Sequence, residues 1–84
     1  ITFFTKDGMN IRAWAVKKGT EAKKAAGMIH SDMERGFIKA DVYSYDDLMA
    51  AKSESALKKS GLIRIEGHDY KIRDGNIVHF KFNV

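Results

Sequence analysis

A long segment near the middle of the chain, residues 20–42, constrains the fold most, because no other segment is as long between turn signals. It reads TEAKKAAGMIHSDMERGFIKADV, which predicts a helix from an N-cap at Thr20 to a turn at Gly36, followed by a strand. The Thr20 hydroxyl can accept from an unpaired amide of the first turn, and Glu21 suits the positive end of the helix dipole. We expect this helix to be the main cover of the sheet that the flanking segments form.

The predicted helix has one face of small apolar side chains. The residues at helical spacing on this face are Ala22, Ala25, Ala26, Ile29 and Met33. Because three of the five are alanine, the helix backbone can lie close to a sheet. Gly27 costs about 1 kcal/mol relative to alanine inside a helix, so we expect a close approach or a helix distortion at this position.

The flanking segments alternate in polarity or are rich in β-branched and aromatic residues, which predicts strands. The predicted strands are residues 1–6, 10–16, 37–43, 62–66, 70–73 and 77–82. Asp7 and Gly8 predict a hairpin turn between the first two, because both residues tolerate positive φ. The polar, alanine-rich residues 45–57 predict a short helix, and residues 53–55 begin a second one that ends near Gly61.

This order of elements places strand pairs on both sides of one main helix. It predicts an α+β fold of the β-grasp (ubiquitin-like) type, a mixed sheet wrapped around that helix with short extra helices and a right-handed crossover. If a helix covers one side only, the other side of the sheet presents a basic surface to water. Its predicted members are Arg64, Lys71, Arg73, His79 and Lys81.

The length of 84 residues fits one small domain, which we expect to span residues 1–84. The absence of cysteine excludes disulfides and cysteine-based zinc sites. No apolar run is long enough to span a membrane and no signal-peptide pattern opens the chain, so we expect a cytoplasmic setting and no membrane partner. Because Ile1 lies inside an apolar run, we expect the chain to be a fragment of a longer protein.

The net charge of +4 is concentrated in residues 12–24. This segment contains one acidic residue, Glu21, and five basic residues, so its net charge of five minus one equals that of the whole chain. The basic residues are Arg12, Lys17, Lys18, Lys23 and Lys24. Such a patch favours polyanions such as RNA. A solvated, lysine-rich helix start explains the same pattern, and charge alone does not separate the two.

The sequence carries no catalytic motif. Nothing matches the glycine-rich phosphate-binding loops, and no two histidines have the spacing of a helical metal site. His30, Ser31 and Asp32 have the residue types of a hydrolase triad, but consecutive side chains diverge and cannot act together. The favoured interpretation is a helix end, with Ser31 or Asp32 capping the next turn, and the alternative is ligand contact. Trp14 beside Arg12 is either a core residue or a stacking platform for a base.

Several segments resemble the C-terminal, TGS-like domain of the YchF-type Obg-like ATPases. The resemblance rests on AAGMIHSDMERGFIKADV at 25–42, YDD at 45–47, EGHDY at 66–70, DG at 74–75 and HFKFNV at 79–84, with ITFFT at 1–5 and RAW at 12–14. It covers nearly the whole chain, with its motifs in order. The departures are His68, Asp41 and Asn76, where a lysine, a glutamate and an acidic residue would be typical.

The resemblance implies a β-grasp accessory domain, with ATP or GTP and Mg²⁺ bound in a P-loop domain elsewhere in the parent protein and no cofactor in this fragment. It implies the ribosome or RNA (tRNA or rRNA) as partner, and it implicates His30, which matches the helix-ending histidine of tRNA-contacting TGS domains. Lys17, Lys18, Lys23 and Lys24 would contact phosphates and Arg12 would add a shape-specific contact. The alternative is a protein-docking module that packs against the parent P-loop domain or another protein.

Overall fold

The computed structural model describes residues 1–7 and 10–83, and these form a five-stranded mixed sheet with four short helices. The strands are β1 (Thr2–Asp7), β2 (Asn10–Ala15), β3 (Phe37–Ser44), β4 (Arg64–Glu66) and β5 (Asn76–Phe82). Their order across the sheet is β2-β1-β5-β3-β4, with β1 parallel to β5 and the other neighbours antiparallel. This arrangement confirms the α+β, β-grasp prediction. The predicted hairpin turn includes Gly8, which lies outside the described residues.

The helices are α1 (Ala22–Ile29), α2 (Ser31–Arg35), α3 (Tyr45–Ala51) and α4 (Glu54–Lys59). The prediction of one helix up to Gly36 was wrong, because His30 adopts an extended conformation (φ −160°, ψ 137°) between α1 and α2. Its backbone N–H still donates to the Ala26 carbonyl, 3.1 Å away, while its Nδ1 accepts from the Asp32 N–H at 3.0 Å. His30 therefore ends one helix and caps the next.

The start of α1 also differs from the prediction. Thr20 is not the N-cap; its hydroxyl donates to the Lys17 carbonyl, and Glu21 occupies the cap position without a side-chain hydrogen bond. The first amides of α1 instead donate to carbonyls of a distant loop: Ala22 to Tyr70 (2.7 Å) and Lys23 to His68 (3.1 Å). Backbone from the last third of the chain thus replaces a side-chain cap.

This use of the loop explains why the strand predicted at 70–73 was wrong. Only an isolated bridge between Glu21 and Lys71 forms there, and the Ile72 N–H donates to the Thr20 carbonyl at 2.9 Å. The backbone groups that would build a ladder bond the start of α1 instead. The side chain of Ile72 is nevertheless buried in the main core.

The main core lies between the sheet and α1. Its buried members are Phe3, Val16, Ala22, Ala25, Ala26, Ala40, Val42, Ile72, Val78 and Phe80. The three alanines confirm the predicted small-residue face. The close approach predicted at Gly27 is also present, but the neighbour is α2 rather than the sheet: a Cβ on Gly27 would lie 2.6 Å from Oε1 of Glu34.

The opposite face of the sheet carries a second, smaller core. Tyr43, Leu57 and Ile77 are buried there, and α3 and α4 cover them. Ser44 and Ser53 cap these two helices by accepting from the N–H groups of Asp47 and Ala56. The condition for an open basic face, a sheet covered on one side only, is therefore not met.

The basic surface expected on the open side is correspondingly reduced. His79 is exposed and Lys81 half-buried on that face, whereas Arg64 pairs with Val42 and so lies on the main-core side. Lys71 and Arg73 lie outside the named strands. In the described part of the chain, no helix is long and apolar enough to cross a membrane.

Candidate nucleic-acid interface

The connection between β2 and α1 brings four lysines to the surface. Lys17 and Lys18 are exposed beside Gly19, whose φ of 90° favours glycine and reverses the chain. Lys23 and Lys24 are exposed in the first turns of α1. The geometry of the turn therefore projects all four from one short segment, which we call the lysine patch.

The lysine patch has little internal charge neutralisation. Lys24 lies 3.8 Å from Glu34, but its side chain is 76% exposed, so water screens this pair strongly. Across residues 1–7 and 10–83, no ion pair involves Lys17, Lys18 or Lys23. These charges are available to a polyanion without first breaking a stable interaction.

Two shallow depressions flank the lysine patch, and Lys24 lies on the ridge between them. On one side, Lys17 and Lys24 border a mostly apolar depression of about 550 Å³ that includes Met28. On the other side, Lys23 and Lys24 border a depression of about 370 Å³. Its other lining residues are Glu21, Ser31, Glu34, Arg35 and His68.

Sequence reasoning missed Arg35 and His68. Arg35 reaches the second depression because the break at His30 turns α2 back beside α1, and it also pairs with Asp32 at 2.6 Å. His68 arrives because its carbonyl bonds the first turn of α1. No periodicity signals either approach, since both depend on the helix break and the capping loop.

His30 is exposed at the junction of α1 and α2, with 62% of its side chain accessible. Its Nδ1 accepts from the Asp32 N–H, which leaves the proton of the neutral ring on Nε2, the outward donor. The Asp32 carboxylate lies 3.9 Å from Nδ1 and instead pairs with Arg35. The helix-end interpretation is confirmed, with the correction that His30 itself is the cap, and the three consecutive residues form no triad.

Arg12 lies on β2, away from the two depressions. Its guanidinium carbon is 4.8 Å from the centre of the Trp14 ring, which is a cation–π distance. Trp14 is half-buried against the main core, and its Nε1 donates to the Thr5 hydroxyl at 2.9 Å. Both interpretations of Trp14 thus have a basis: the indole is packed at the edge of the core, and it also supports an exposed arginine plane.

Within the described residues, no three His, Asp or Glu side chains are grouped so that they could hold a metal ion. Burial raises the pKa of Tyr43 to about 12, and the nearby carboxylate of Glu54 adds to this effect. Tyr43 lies in the second core under α4, so the raised pKa reflects packing and not chemistry at the lysine patch.

The fold and this surface define a β-grasp domain with a basic connection between its second strand and first helix. A family model named YchF-GTPase_C, described as a protein of unknown function (DUF933), matches residues 1–83. The chain therefore belongs to the YchF-GTPase_C family, which confirms the resemblance found in its motifs.

Relatives with similar sequences are much longer proteins. The chain is 47% identical over 83 residues to "Ribosome-binding ATPase YchF" of Bacillus subtilis, covering 99% of this chain and 23% of that protein. It is 49% identical over 82 residues to "Obg-like ATPase 1" of Rattus norvegicus, covering 98% and 21%. The solved structure of the Schizosaccharomyces pombe YchF GTPase matches with a TM-score of 0.89 at 37% identity, covering 96% of this chain and 21% of that one. The chain thus spans about a fifth to a quarter of these relatives.

Proposed function

We propose that this chain is an accessory domain of a YchF-type ATPase and that it contacts RNA of the ribosome through the lysine patch. The observation that carries the proposal is the set of four exposed lysines, Lys17, Lys18, Lys23 and Lys24, on one short segment with a single screened ion pair. Phosphates provide the complementary charge, and their neutralisation releases counterions. The name of the Bacillus subtilis relative, Ribosome-binding ATPase YchF, supports the same partner.

His30 and Arg12 are proposed to add contacts that depend on RNA shape. The Nε2 of His30 is an outward donor at the helix junction, and Arg12 offers a charged plane on β2. ATP or GTP with Mg²⁺ belongs, in this proposal, to the P-loop part of the parent protein. The domain itself supplies binding and no catalytic group.

The test is a titration of fluorescently labelled tRNA and ribosomal RNA fragments with the chain at several salt concentrations. Changing Lys17, Lys18, Lys23 and Lys24 together to alanine is expected to weaken binding and to lower the slope of log K against log salt. The slope should fall by about 0.7–0.9 for each phosphate that the variant no longer neutralises. The matched control changes four other exposed lysines, Lys52, Lys58, Lys59 and Lys71, and removes the same total charge.

Equal losses of affinity in the two quadruple variants would show that net charge, and not this patch, drives binding, and would contradict the proposal. Binding by neither RNA at low salt would contradict it as well. For His30, alanine is a poor test because it removes the cap of α2, which costs about 1 kcal/mol. His30→Asn retains a capping side chain and is expected to weaken RNA binding with an unchanged thermal midpoint.

The docking alternative has weaker support. Among the described residues, the large exposed apolar side chains are spread over six elements and one loop; they are Ile11, Met28, Ile38, Tyr45, Met49, Leu62, Ile65 and Phe82. Ile11 and Ile65 lie on β2 and β4, the opposite edges of the sheet. A protein partner generally recognises a contiguous apolar patch, so this distribution favours the nucleic-acid proposal.

A further inference from the structure

We propose that a groove between the sheet and the α1–α2 pair binds one unstacked nucleobase of the RNA strand whose phosphates contact the lysine patch. This inference rests on the proposed function. It adds a contact to a base, which the phosphate contacts of the lysine patch do not provide. The groove has a volume of about 490 Å³. The residues of its lining that the argument uses are Arg12, Trp14, Ile29, Met33, Phe80 and Phe82.

The groove exists because two features of the fold leave space at one end of the sheet. Among the described residues, β1 and β5 pair at Phe4 and Ile77 only, although both strands continue beyond that point. Residues past this pair, Thr5 on β1 and Phe80 on β5, line the opening. The other wall comes from Ile29 and Met33, which flank the helix break at His30.

Arg12 and Trp14 give the groove a flat surface. The indole is held in one orientation because its Nε1 donates to Thr5 and its body packs on the main core. The guanidinium lies 4.8 Å from the ring centre, and Arg12 is exposed. Proteins that bind unpaired RNA bases stack them on aromatic rings or on guanidinium planes, and this pair combines the two.

The remaining lining suits a heterocyclic ring. Ile29, Met33 and Phe80 provide apolar contacts, and Phe82 stays 42% exposed at the rim. Lys6 also lines the groove but pairs with Glu54 at 2.5 Å, so Arg12 and Asp7 are the charges that remain at the rim.

The groove is also close enough to the lysine patch to share a strand with it. At about 3.3 Å per residue of extended chain, Trp14 lies about 10 Å from Lys17. A single strand of a few nucleotides can therefore place one base in the groove and its neighbouring phosphates on the lysines. The positive charge of the neighbouring lysine patch favours a nucleic acid over an apolar peptide as the occupant.

Trp14 is the only tryptophan of the chain, so its fluorescence reports on the groove directly. The probe is a short oligouridylate, and the control ligand is inorganic polyphosphate, which offers charge without bases. Stacking is expected to quench the Trp14 emission with oligouridylate and to leave it unchanged with polyphosphate. A chain that binds both ligands without base-dependent quenching overturns the base site and leaves the proposed function standing.

The variant Arg12→Lys keeps the charge and removes the guanidinium plane. It is expected to weaken oligouridylate binding about five- to hundredfold, the range for one stacked base, with an unchanged salt slope and unchanged polyphosphate binding. Arg73→Lys is the matched control, because Arg73 is exposed and lines a different depression. The affinity of this variant for oligouridylate is expected to stay within about twofold of that of the original chain. A drop in the salt slope for Arg12→Lys, or an equal loss of affinity for both variants, would overturn the stacking role. Failure of the unaltered chain to bind any RNA or polyphosphate would instead overturn the proposed function.

Discussion

The two faces of the sheet use the same strands but bury very different amounts of side chain. Adjacent residues divide between them: Phe3, Val42 and Val78 face the main core, whereas Phe4, Tyr43 and Ile77 face the second one. The main core has ten buried members under α1, and the second has three under α3 and α4. The central strands are thus covered on both sides, but by layers of unequal thickness. The main face should carry the global stability, and the second face should respond more locally.

The largest effect is expected from Phe3→Ala in the main core. Phe3 is fully buried and packs edge-on against Phe80, with ring centres 6.2 Å apart. Removing the ring leaves a cavity in the thicker layer, and such changes lower the free energy of unfolding by about 3–5 kcal/mol. Urea denaturation measures the decrease. A change below about 1 kcal/mol would mean that this face does not dominate the stability.

Leu57→Ala tests the second core with a residue that is also fully buried. We expect the free energy of unfolding to fall by about 2–3 kcal/mol, at the low end for a buried leucine, because α4 lies at the periphery and can relax into the space. Hydrogen exchange should be faster at the amides of α4, because this helix opens locally. At the amides of β5 the exchange rate should change only as far as the free energy of global unfolding changes. Uniform acceleration in all elements would show that the two faces unfold as one unit.

The pH dependence of stability gives a specific probe of the second face. Burial raises the pKa of Tyr43 from 10.0 to about 12, with Glu54 contributing. An unfolded tyrosine loses its proton near pH 10 while the folded one keeps it, so this contribution is complete below pH 10 and is lost as the pH rises to 12. An increase of this size in the pKa of Tyr43 corresponds to about 2–3 kcal/mol in the free energy of unfolding.

Tyr43→Phe is the control for that window, because it removes the phenol hydroxyl and keeps the buried ring. The difference in unfolding free energy between the original chain and this variant should narrow or reverse above pH 10 and stay constant from pH 7 to 9. Denaturation at a series of pH values measures this difference. A difference that does not vary with pH would contradict the burial of the phenol.

The smallest effect is expected at Gly27, on the main face. Alanine is favoured over glycine in a helix by about 1 kcal/mol, but its Cβ would lie 2.6 Å from Oε1 and 3.0 Å from Cβ of Glu34. We expect Gly27→Ala to gain little or nothing in the original chain. A Glu34→Ala background removes Oε1 but keeps the Cβ at 3.0 Å, so there the same change should raise stability by part of the ~1 kcal/mol, as measured by thermal denaturation. Equal effects in the two backgrounds would show that α2 does not limit this position.

Much of the fold could be predicted from the sequence because local patterns determine it. Alternation or β-branched and aromatic residues located β1, β2, β3 and β5, and α3 and α4 form in the two segments predicted to be short helices. The alternation did not show that Tyr43 and Ile77 would be covered, because an apolar residue on the second face looks the same whether or not a helix packs on it. A helix end at His30 was the favoured interpretation of the residues 30–32, but the helical spacing of Ile29 and Met33 also fits a single helix up to Gly36, and that prediction was wrong.

The candidate site was predicted in composition but not in arrangement. The four lysines could be identified because charge concentrates locally in the sequence, and their exposure follows from a turn at Gly19. The pairing of Arg12 with Trp14 was one of two open interpretations. Arg35 and His68 reach the site through contacts that leave no local pattern in the sequence. His68, for example, contacts Lys23, which lies more than forty residues earlier in the chain.

The position of β5 in the middle of the sheet has a consequence for how the chain folds. Among the five described strands β5 is synthesised last, yet it joins β1 to β3, and its pair with β1 connects Phe4 to Ile77, 73 residues away (77 minus 4). Until residues 76–82 emerge, the chain can form a β1–β2 hairpin and a β3–β4 pair but cannot connect them. Long-range pairing of this kind incurs its loop-closure entropy late and slows folding. The domain therefore reaches its native topology only after nearly all of its sequence is available.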